Sequence, residues 1–323
     1  MKQIDRRGFV KMAGALAAVP ALTSLPAVAA QAQNNADLRV DKDIVFGKGG
    51  DIDLLLDVYH PPAGVTPKRM AIIHLFGGGF SGGSKNAGYI VNDARALGRL
   101  GYTNVPANYR LTGQGLWPAQ IHDTKAAIRW VRANADKIGI DADKIAIAGY
   151  SAGGLLSLLA AGTNGLAEFE GSGGNAGVSS KVQASIGVYP LASTQTAGGL
   201  FPTTLTAEER AKVMEAAGPT KYIGKDFAPT IFIHGTADTT VPMSSSIDFF
   251  NKLNAAGVPS ALTLIQGAAH AFDNAALDAV GVMAQSIDLF LDRLIVKPTP
   301  YAGFGGGGRG GAGRGGARGA QQN

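Results

Sequence analysis

The sequence predicts an α/β fold, a mostly parallel central sheet with helices on both faces. Two observations carry this. Apolar runs of strand length recur at 70–76, 144–149, 184–189, 230–234 and 261–265. Several are continuous rather than alternating, as strands covered on both faces should be. Helical patterns lie between them at 121–135, 152–161, 243–256 and 279–294, and strands alternating with helices argue for parallel pairing. In the first of these helices Ile121, Ala127, Ile128 and Val131 fall near one face, whereas 152–161 is apolar almost all round and reads as buried. Residues 53–59 alternate Leu54, Leu56 and Val58 with Asp53, Leu55 and Asp57, which suits an antiparallel opening strand. A polar, glycine-rich loop is expected at 171–180. The stretch 192–225 fits no strand; with one helical piece at 206–216 it reads as an insertion forming at most a small cap.

Composition sets the limits. The chain has 323 residues, 46% hydrophobic and 16% charged, enough apolar material for a sizeable core. It has 0 cysteines, which excludes disulfides, thiolate nucleophiles and cysteine-based metal centres. The net charge of +5 belongs to the two ends. Residues 1–30 carry Lys2, Arg6, Arg7 and Lys11 against Asp5, and residues 301–323 carry Arg309, Arg314 and Arg318 with no acid, so the body between is close to neutral. A basic protein invites a reading as a nucleic-acid binder, but the body carries no such excess, and no specific nucleic-acid partner is expected.

The ends read as separate segments. In residues 1–30, Asp5-Arg6-Arg7-Gly8-Phe9 precedes a weakly apolar, alanine-rich run and the small-residue site Ala27-Val28-Ala29. This is the layout of an export signal, and the paired arginines resemble the bacterial twin-arginine signal, with Asp5 where that signal prefers Ser or Thr. An exported, periplasmic or secreted location follows as an expectation. Pro20, Thr23, Ser24 and Pro26 interrupt the run, which falls short of the roughly 20 apolar residues a stable membrane span requires. Residues 301–323 are mostly Gly, Ala and Arg, a composition expected to stay disordered. What remains, 31–300, is the size of one α/β domain.

Gly149-Tyr150-Ser151-Ala152-Gly153 is a G-x-S-x-G motif between a predicted strand and an apolar helix. That context marks a nucleophile turn, in which Ser151 projects above the sheet beside a helix N-terminus. In a chain with 46 glycines a chance match is the bland alternative, and the coincidence of strand, motif and helix weighs against it. Together with Asn108-Tyr109-Arg110-Leu111, Trp117-Pro118-Ala119, Ile138-Gly139-Ile140-Asp141-Ala142-Asp143 and His234-Gly235-Thr236-Ala237-Asp238, the motif resembles the α/β-hydrolase esterases. Within them it is similar to the hormone-sensitive-lipase-like carboxylesterases and the bacterial feruloyl- and acetyl-esterase branch. The resemblance implies an α/β-hydrolase fold and a catalytic domain over 31–300.

A serine hydroxyl needs a base, and the base an anion behind it. Of the 5 histidines, only His270 lies in a late loop before the last helix, where the α/β-hydrolase order Ser…Asp…His puts the base. His60 precedes Pro61-Pro62 and reads as a turn residue, His74 as a satisfied core group, His122 as the start of a helix, and His234 as structural. Asp238, just past the strand at 230–234, is the expected acid, because sites on open α/β sheets form at strand C-terminal ends. Asp273 competes, but it shares the base's own loop and would be badly aimed; Asp141 and Asp143 read as turn residues. The oxyanion hole is expected from Gly77-Gly78-Gly79 and the Ala152 N–H. The resemblance assigns Gly78 and Gly79 and sets Gly77 behind them. Phe76 stands where the family carries the histidine of its His-Gly-Gly-Gly motif; phenylalanine cannot hydrogen-bond the loop, but the donors are backbone groups and survive the change. No H-E-x-x-H motif, phosphate loop or dinucleotide fingerprint is present, and no cofactor or metal is expected.

The expected function is hydrolysis of short-acyl or carbohydrate-linked esters of acetyl or feruloyl type through an acyl-enzyme. The partner is a small-molecule or polysaccharide ester; the oligomeric state is not readable. Two other readings remain open: a peptidase of the prolyl-oligopeptidase type, against which the lack of a propeller-sized extra domain counts, and a non-catalytic binding protein on a hydrolase fold.

Overall fold

The computed structural model describes residues 38–299. The export signal read at 1–30 and the Gly/Arg tail read at 301–323 lie outside the described residues. Eight strands form a single sheet: β1 (Val40–Gly49), β2 (Ile52–Tyr59), β3 (Ala71–Leu75), β4 (Thr103–Ala107), β5 (Ile145–Tyr150), β6 (Ala184–Val188), β7 (Thr230–Gly235) and β8 (Ser260–Ile265). Their spatial order is β1-β2-β4-β3-β5-β6-β7-β8. β2 runs antiparallel to β1 and β4, and all other pairs are parallel. Every residue of β3, β4, β5, β6 and β7 is buried, which is why β3, β5, β6 and β7 read as mostly apolar runs rather than alternating ones.

The helices are α1 (Gly88–Arg99), α2 (Ala119–Ala133), α3 (Ala135–Ile138), α4 (Ala152–Gly162), α5 (Ala207–Ala216), α6 (Ser244–Ala255) and α7 (Leu277–Leu291). The step from β3 to β4 and the step from β4 to β5 cross the sheet in opposite directions. Because parallel crossovers are right-handed, α1 and α2 must lie on opposite faces. α4 and α6 follow the direction of α2, and α7 returns to pack beside α1. The reversal between β3 and β5 is the topological switch point, where ligands bind on sheets of this kind. Among the described residues, no helix is long and apolar enough to cross a membrane.

The insertion at 192–225 leaves the sheet immediately after β6 and contains α5. A capping box starts this helix: Thr206 Oγ1 accepts from the Glu209 N–H (3.3 Å), and Glu209 Oε2 accepts from the Thr206 N–H (2.9 Å). No residue of α5 is buried. The segment is anchored at its ends instead, through buried Leu200, Phe201 and Ala217, a Trp117 N–H to Leu200 C=O bond (3.0 Å) and a Tyr222 hydroxyl to Ala216 C=O bond (2.8 Å).

The centre of the core holds a histidine of β3. His74 in β3 is fully buried, with Nε2 donating to Asn104 Oδ1 (2.9 Å) and Nδ1 accepting from the Tyr150 hydroxyl (3.0 Å). Burial pushes its pKa down to about 4, whereas an exposed histidine titrates near 6.5. Between those values the unfolded chain takes up a proton that the folded chain refuses. The contribution of His74 is therefore complete above the unfolded value and is lost as pH falls, by about 1.4 kcal/mol per pH unit. Asp93 and Asp273 have raised carboxyl values and the opposite sign, so the wild type must be compared with His74→Gln. Urea unfolding of both proteins at about pH 7 and about pH 5 should show the wild type losing roughly 2 kcal/mol relative to the variant. An unchanged difference would mean that His74 does not stay neutral in the fold.

Candidate active site

Ser151 is the single residue between the end of β5 and the start of α4, and it absorbs the whole reversal with φ 50° and ψ −117°. This left-handed conformation strains a non-glycine residue. It is held by the Ser151 N–H on Val188 C=O (3.1 Å) and by the Ser151 C=O, which accepts from the N–H groups of Gly154 (2.9 Å) and Leu191 (2.8 Å). The flanking glycines are required by space. A Cβ on Gly153 would lie 2.2 Å from Leu75 O, and one on Gly149 would lie 2.2 Å from Gly153 O. As the first residue of α4, Ala152 has an N–H with no partner inside the helix, at its positive end.

The strand register assembles the rest. Leu75 of β3, Gly149 of β5, Gly187 of β6 and Phe232 of β7 pair in one row across the sheet. Two residues further along each chain stand Gly77, Ser151, Tyr189 and His234. They form a second row at the C-terminal edge, which the turn after β7 and the loop after β8 complete with Asp238 and His270.

These residues form a continuous hydrogen-bonded line. His270 Nε2 is 3.0 Å from Ser151 Oγ, and His270 Nδ1 is 2.7 Å from Asp238 Oδ2. The Asp238 side chain is fully buried, whereas that of His270 is 19% exposed. The turn after β7 also supplies two donors to Asp238 Oδ1, the N–H groups of Thr240 and Val241, both at 2.9 Å. Since the carboxylate can only accept, Nδ1 of His270 carries the proton and Nε2 is free to accept one from the Ser151 hydroxyl.

His234, read from sequence as structural, lies beneath the acid. Its Nε2 faces two acceptors, Val241 O (2.9 Å) and Asp238 Oδ2 (3.3 Å), and its Nδ1 accepts from the Ser246 hydroxyl (2.8 Å). These partners fix one neutral tautomer, and burial lowers the imidazole pKa. His234 is thus a neutral donor to Asp238, leaving His270 as the only group in this line positioned to become its cation.

The glycine loop after β3 is braced by tyrosines. The Tyr89 hydroxyl of α1 accepts from the Gly77 N–H (2.8 Å), and the Tyr109 hydroxyl donates to Phe76 C=O (2.8 Å). Phe76 stacks on Tyr109 with ring centroids 4.2 Å apart and an 8° interplanar angle. The Gly77 N–H is therefore occupied, which leaves Gly78 and Gly79, with φ of 113° and 61°, as the loop's candidate donors. Further on, the Lys85 N–H reaches Asn108 Oδ1 (2.8 Å) and Lys85 Nζ pairs with Asp57 (2.6 Å) and Asp43 (2.8 Å), tying the loop's far end to β1 and β2. Tyr89 was not foreseen. It belongs to α1, a helix the apolar pattern did not reveal, and its only sequence signal is a lone aromatic after Gly88.

The other candidates separate from the line. Asp273 is buried, and both its oxygens lie 2.8 Å from the Tyr189 hydroxyl. His60 pairs with Asp41 (2.8 Å), His122 reaches only Glu168 C=O (3.4 Å), and Asp141 accepts from the Asp143 N–H (3.0 Å) as a turn residue does.

A family model described as BD-FAE matches residues 56–253. The chain is 30% identical over 259 residues to "Esterase LipC" of Mycobacterium tuberculosis, covering 76% of this chain and 64% of that relative's length. Among solved structures it resembles a thermophilic esterase from Thermogutta terrifontis, "Est2-butyrate bound" (TM-score 0.65, 27% identity, 83% of this chain and 97% of that one). It also resembles a "Truncated form of carbohydrate esterase from gut microbiota" (TM-score 0.64, 25% identity, 78% of this chain and 98% of that one).

Close packing at the glycine loop gives a direct test. A Cβ on Gly77 would lie 2.9 Å from Ser151 Cβ and 3.1 Å from Tyr150 O. The substitution Gly77→Ala should slow covalent labelling of Ser151 by a fluorophosphonate about a hundredfold, with the far-ultraviolet circular dichroism retained. Labelling at the wild-type rate would show that the loop does not border the reacting hydroxyl.

Proposed function

The chain belongs to the BD-FAE family, and on that premise we propose that it is a serine carboxylesterase using Ser151, His270 and Asp238. The observation that carries this reading is His270 bridging the Ser151 hydroxyl and the Asp238 carboxylate at the switch point of the sheet. Ser151 Oγ attacks the ester carbonyl as His270 Nε2 takes its proton, and Asp238 holds the imidazolium that forms. The N–H groups of Gly78, Gly79 and Ala152 receive the developing oxyanion, each such donor being worth about 3–4 kcal/mol. His270 then returns its proton to the leaving alcohol, and the same imidazole activates water to release the acyl group.

For substrate we propose short-acyl or carbohydrate-linked esters of acetyl or feruloyl type. Similarity to a carbohydrate esterase and to a butyrate-bound esterase supports this, as does an insertion whose one α-helix has no fully buried residue. The charged head, apolar run and Ala27-Val28-Ala29 site of residues 1–30 support export to the periplasm or beyond.

Ser151→Ala should lower p-nitrophenyl acetate hydrolysis by at least about a thousandfold with the fold intact; turnover surviving that change would remove Ser151 as nucleophile. Across p-nitrophenyl esters, acetate and butyrate should be cleaved faster than palmitate, and acetylated xylooligosaccharides should be deacetylated. A preference for palmitate would overturn the short-acyl assignment. Fractionation of a bacterial expression host should place the mature protein outside the cytoplasm, with Arg6→Lys/Arg7→Lys retaining it inside.

A further inference from the structure

A second buried polar cluster stands directly behind the base. Tyr189 is the first residue past β6, is 1% exposed, and has a left-handed φ of 36°. Its N–H donates to Ile233 C=O (2.7 Å). A bulky residue held in that region marks a place where the fold overrides local preference. Here the strained turn lays the phenol ring against the imidazole of His270, with centroids 4.7 Å apart at 58°, and Phe272 meets the same ring edge-on at 5.7 Å. The hydroxyl ends between the two oxygens of Asp273, both at 2.8 Å. Asp273 is 0% exposed and three positions beyond His270. Facing it from α1 is Asp93, also 0% exposed, with neither carboxyl oxygen hydrogen-bonded among the described residues.

Two carboxyls buried together cannot both ionise. Burial first, and then the charge of its neighbour, raise Asp93 well above the carboxylate range; burial also raises Asp273, which keeps the Tyr189 hydroxyl as a donor to its ionised form. Above the raised value of Asp273 the pair holds one negative charge, on the residue next to the base. The titratable groups around His270 are then Asp238 in front, His234 beneath that acid, Ser151 at Nε2, Tyr189 against the ring face, and Asp273 behind, with Asp93, Tyr89 and Tyr150 lining the cluster's far side.

We propose that Tyr189 and Asp273 form a positioning pair for His270: Asp273 fixes the phenol, the phenol fixes the plane of the imidazole, and the buried charge favours the imidazolium formed when Ser151 gives up its proton. Its effect on rate rests on the esterase reading above; its effect on the imidazole does not. Asp273 is thus a second anion for the base, set behind an aromatic ring rather than in hydrogen-bonding contact.

The test follows the His270 ring by NMR titration in the wild type, Asp273→Asn, Tyr189→Phe and Tyr189→Leu, with kcat and KM for p-nitrophenyl acetate measured across pH in each. Removing the charge in Asp273→Asn should lower the titration midpoint of His270, and with it the acid limb of kcat/KM, by about half a pH unit or more. Tyr189→Leu should lower kcat about tenfold or more with KM within about twofold, and Tyr189→Phe, which keeps the ring, should recover most of that loss. A His270 midpoint unmoved in Asp273→Asn overturns the charge role, and a wild-type kcat in Tyr189→Leu overturns the positioning role. If Tyr189→Leu fails to fold, the near-isosteric Asp273→Asn and Tyr189→Phe decide by titration alone. A shifted midpoint in a protein that cleaves no ester would uphold the pair while refuting the esterase reading.

Discussion

The close approach of two backbone segments at the C-terminal edge of the sheet governs the rest of this molecule. Pairing Leu75 with Gly149 brings the exit of β3 and the exit of β5 side by side. The helix after β5 must then start against the carbonyls of Leu75 and Phe76, and a side chain at Gly153 would collide with both. This contact puts the Gly77 backbone against Ser151 and the first N–H of α4 beside the same hydroxyl. The nucleophile and its candidate oxyanion donors are thus positioned by backbone packing, before any polar side chain contributes. Polar side chains could not hold the geometry alone, since a displacement of about 1 Å at a reacting atom costs roughly a hundredfold in rate.

Electrostatics then fits into the space that packing leaves. A buried carboxylate is expensive unless every lone pair finds a donor. Asp238 meets this with two backbone N–H groups, the neutral His234 and the Nδ1–H of His270. Keeping His234 neutral matters, because a second imidazolium beside the acid would compete for its charge. Burial prevents this by disfavouring the charged imidazole, while Ser246 and the Val241 carbonyl fix the tautomer. The Asp93 and Asp273 pair solves the same problem differently: burial keeps Asp93 protonated, and the Tyr189 hydroxyl donates to Asp273.

What the sequence made legible follows from which signals are local. The strands covered on both faces declare themselves as apolar runs, and G-x-S-x-G declares the turn because its glycines answer a local collision. β4 stays hidden because Asn104 and Pro106 interrupt it, although all five of its residues are buried. Its ladder to β2 pairs only Leu56 with Ala107 and Tyr59 with Asn104, so Pro106 is unpaired toward β2 and is matched with His74 of β3 on its other side. α1 stays hidden for a related reason: Ile90, Ala94 and Leu97 mark a buried stripe, but Asp93 lies on that stripe and breaks the apolar pattern. The order Ser151, Asp238, His270 could be read because chain order and strand ends limit the choice. Partners such as Tyr89 and Tyr189 could not, because a hydroxyl's target lies across the fold and leaves no periodic trace.

Phe76 shows how a motif can lose a residue and keep what it presents. The related His-Gly-Gly-Gly loops carry a side chain at that position able to hydrogen-bond, and phenylalanine cannot. Here the bracing comes from outside the loop: Tyr109 donates to the Phe76 carbonyl and stacks on its ring, while Tyr89 accepts from Gly77. One consequence is that the first glycine's N–H is already bonded, so Gly78, Gly79 and Ala152 are left as the candidate donors. A second is that α1, which supplies Tyr89 to this loop and Asp93 to the cluster behind His270, touches both halves of the site. A shift of that helix would disturb the glycine loop and the wall behind His270 alike, and the packing of α1 against α7 helps hold it in place.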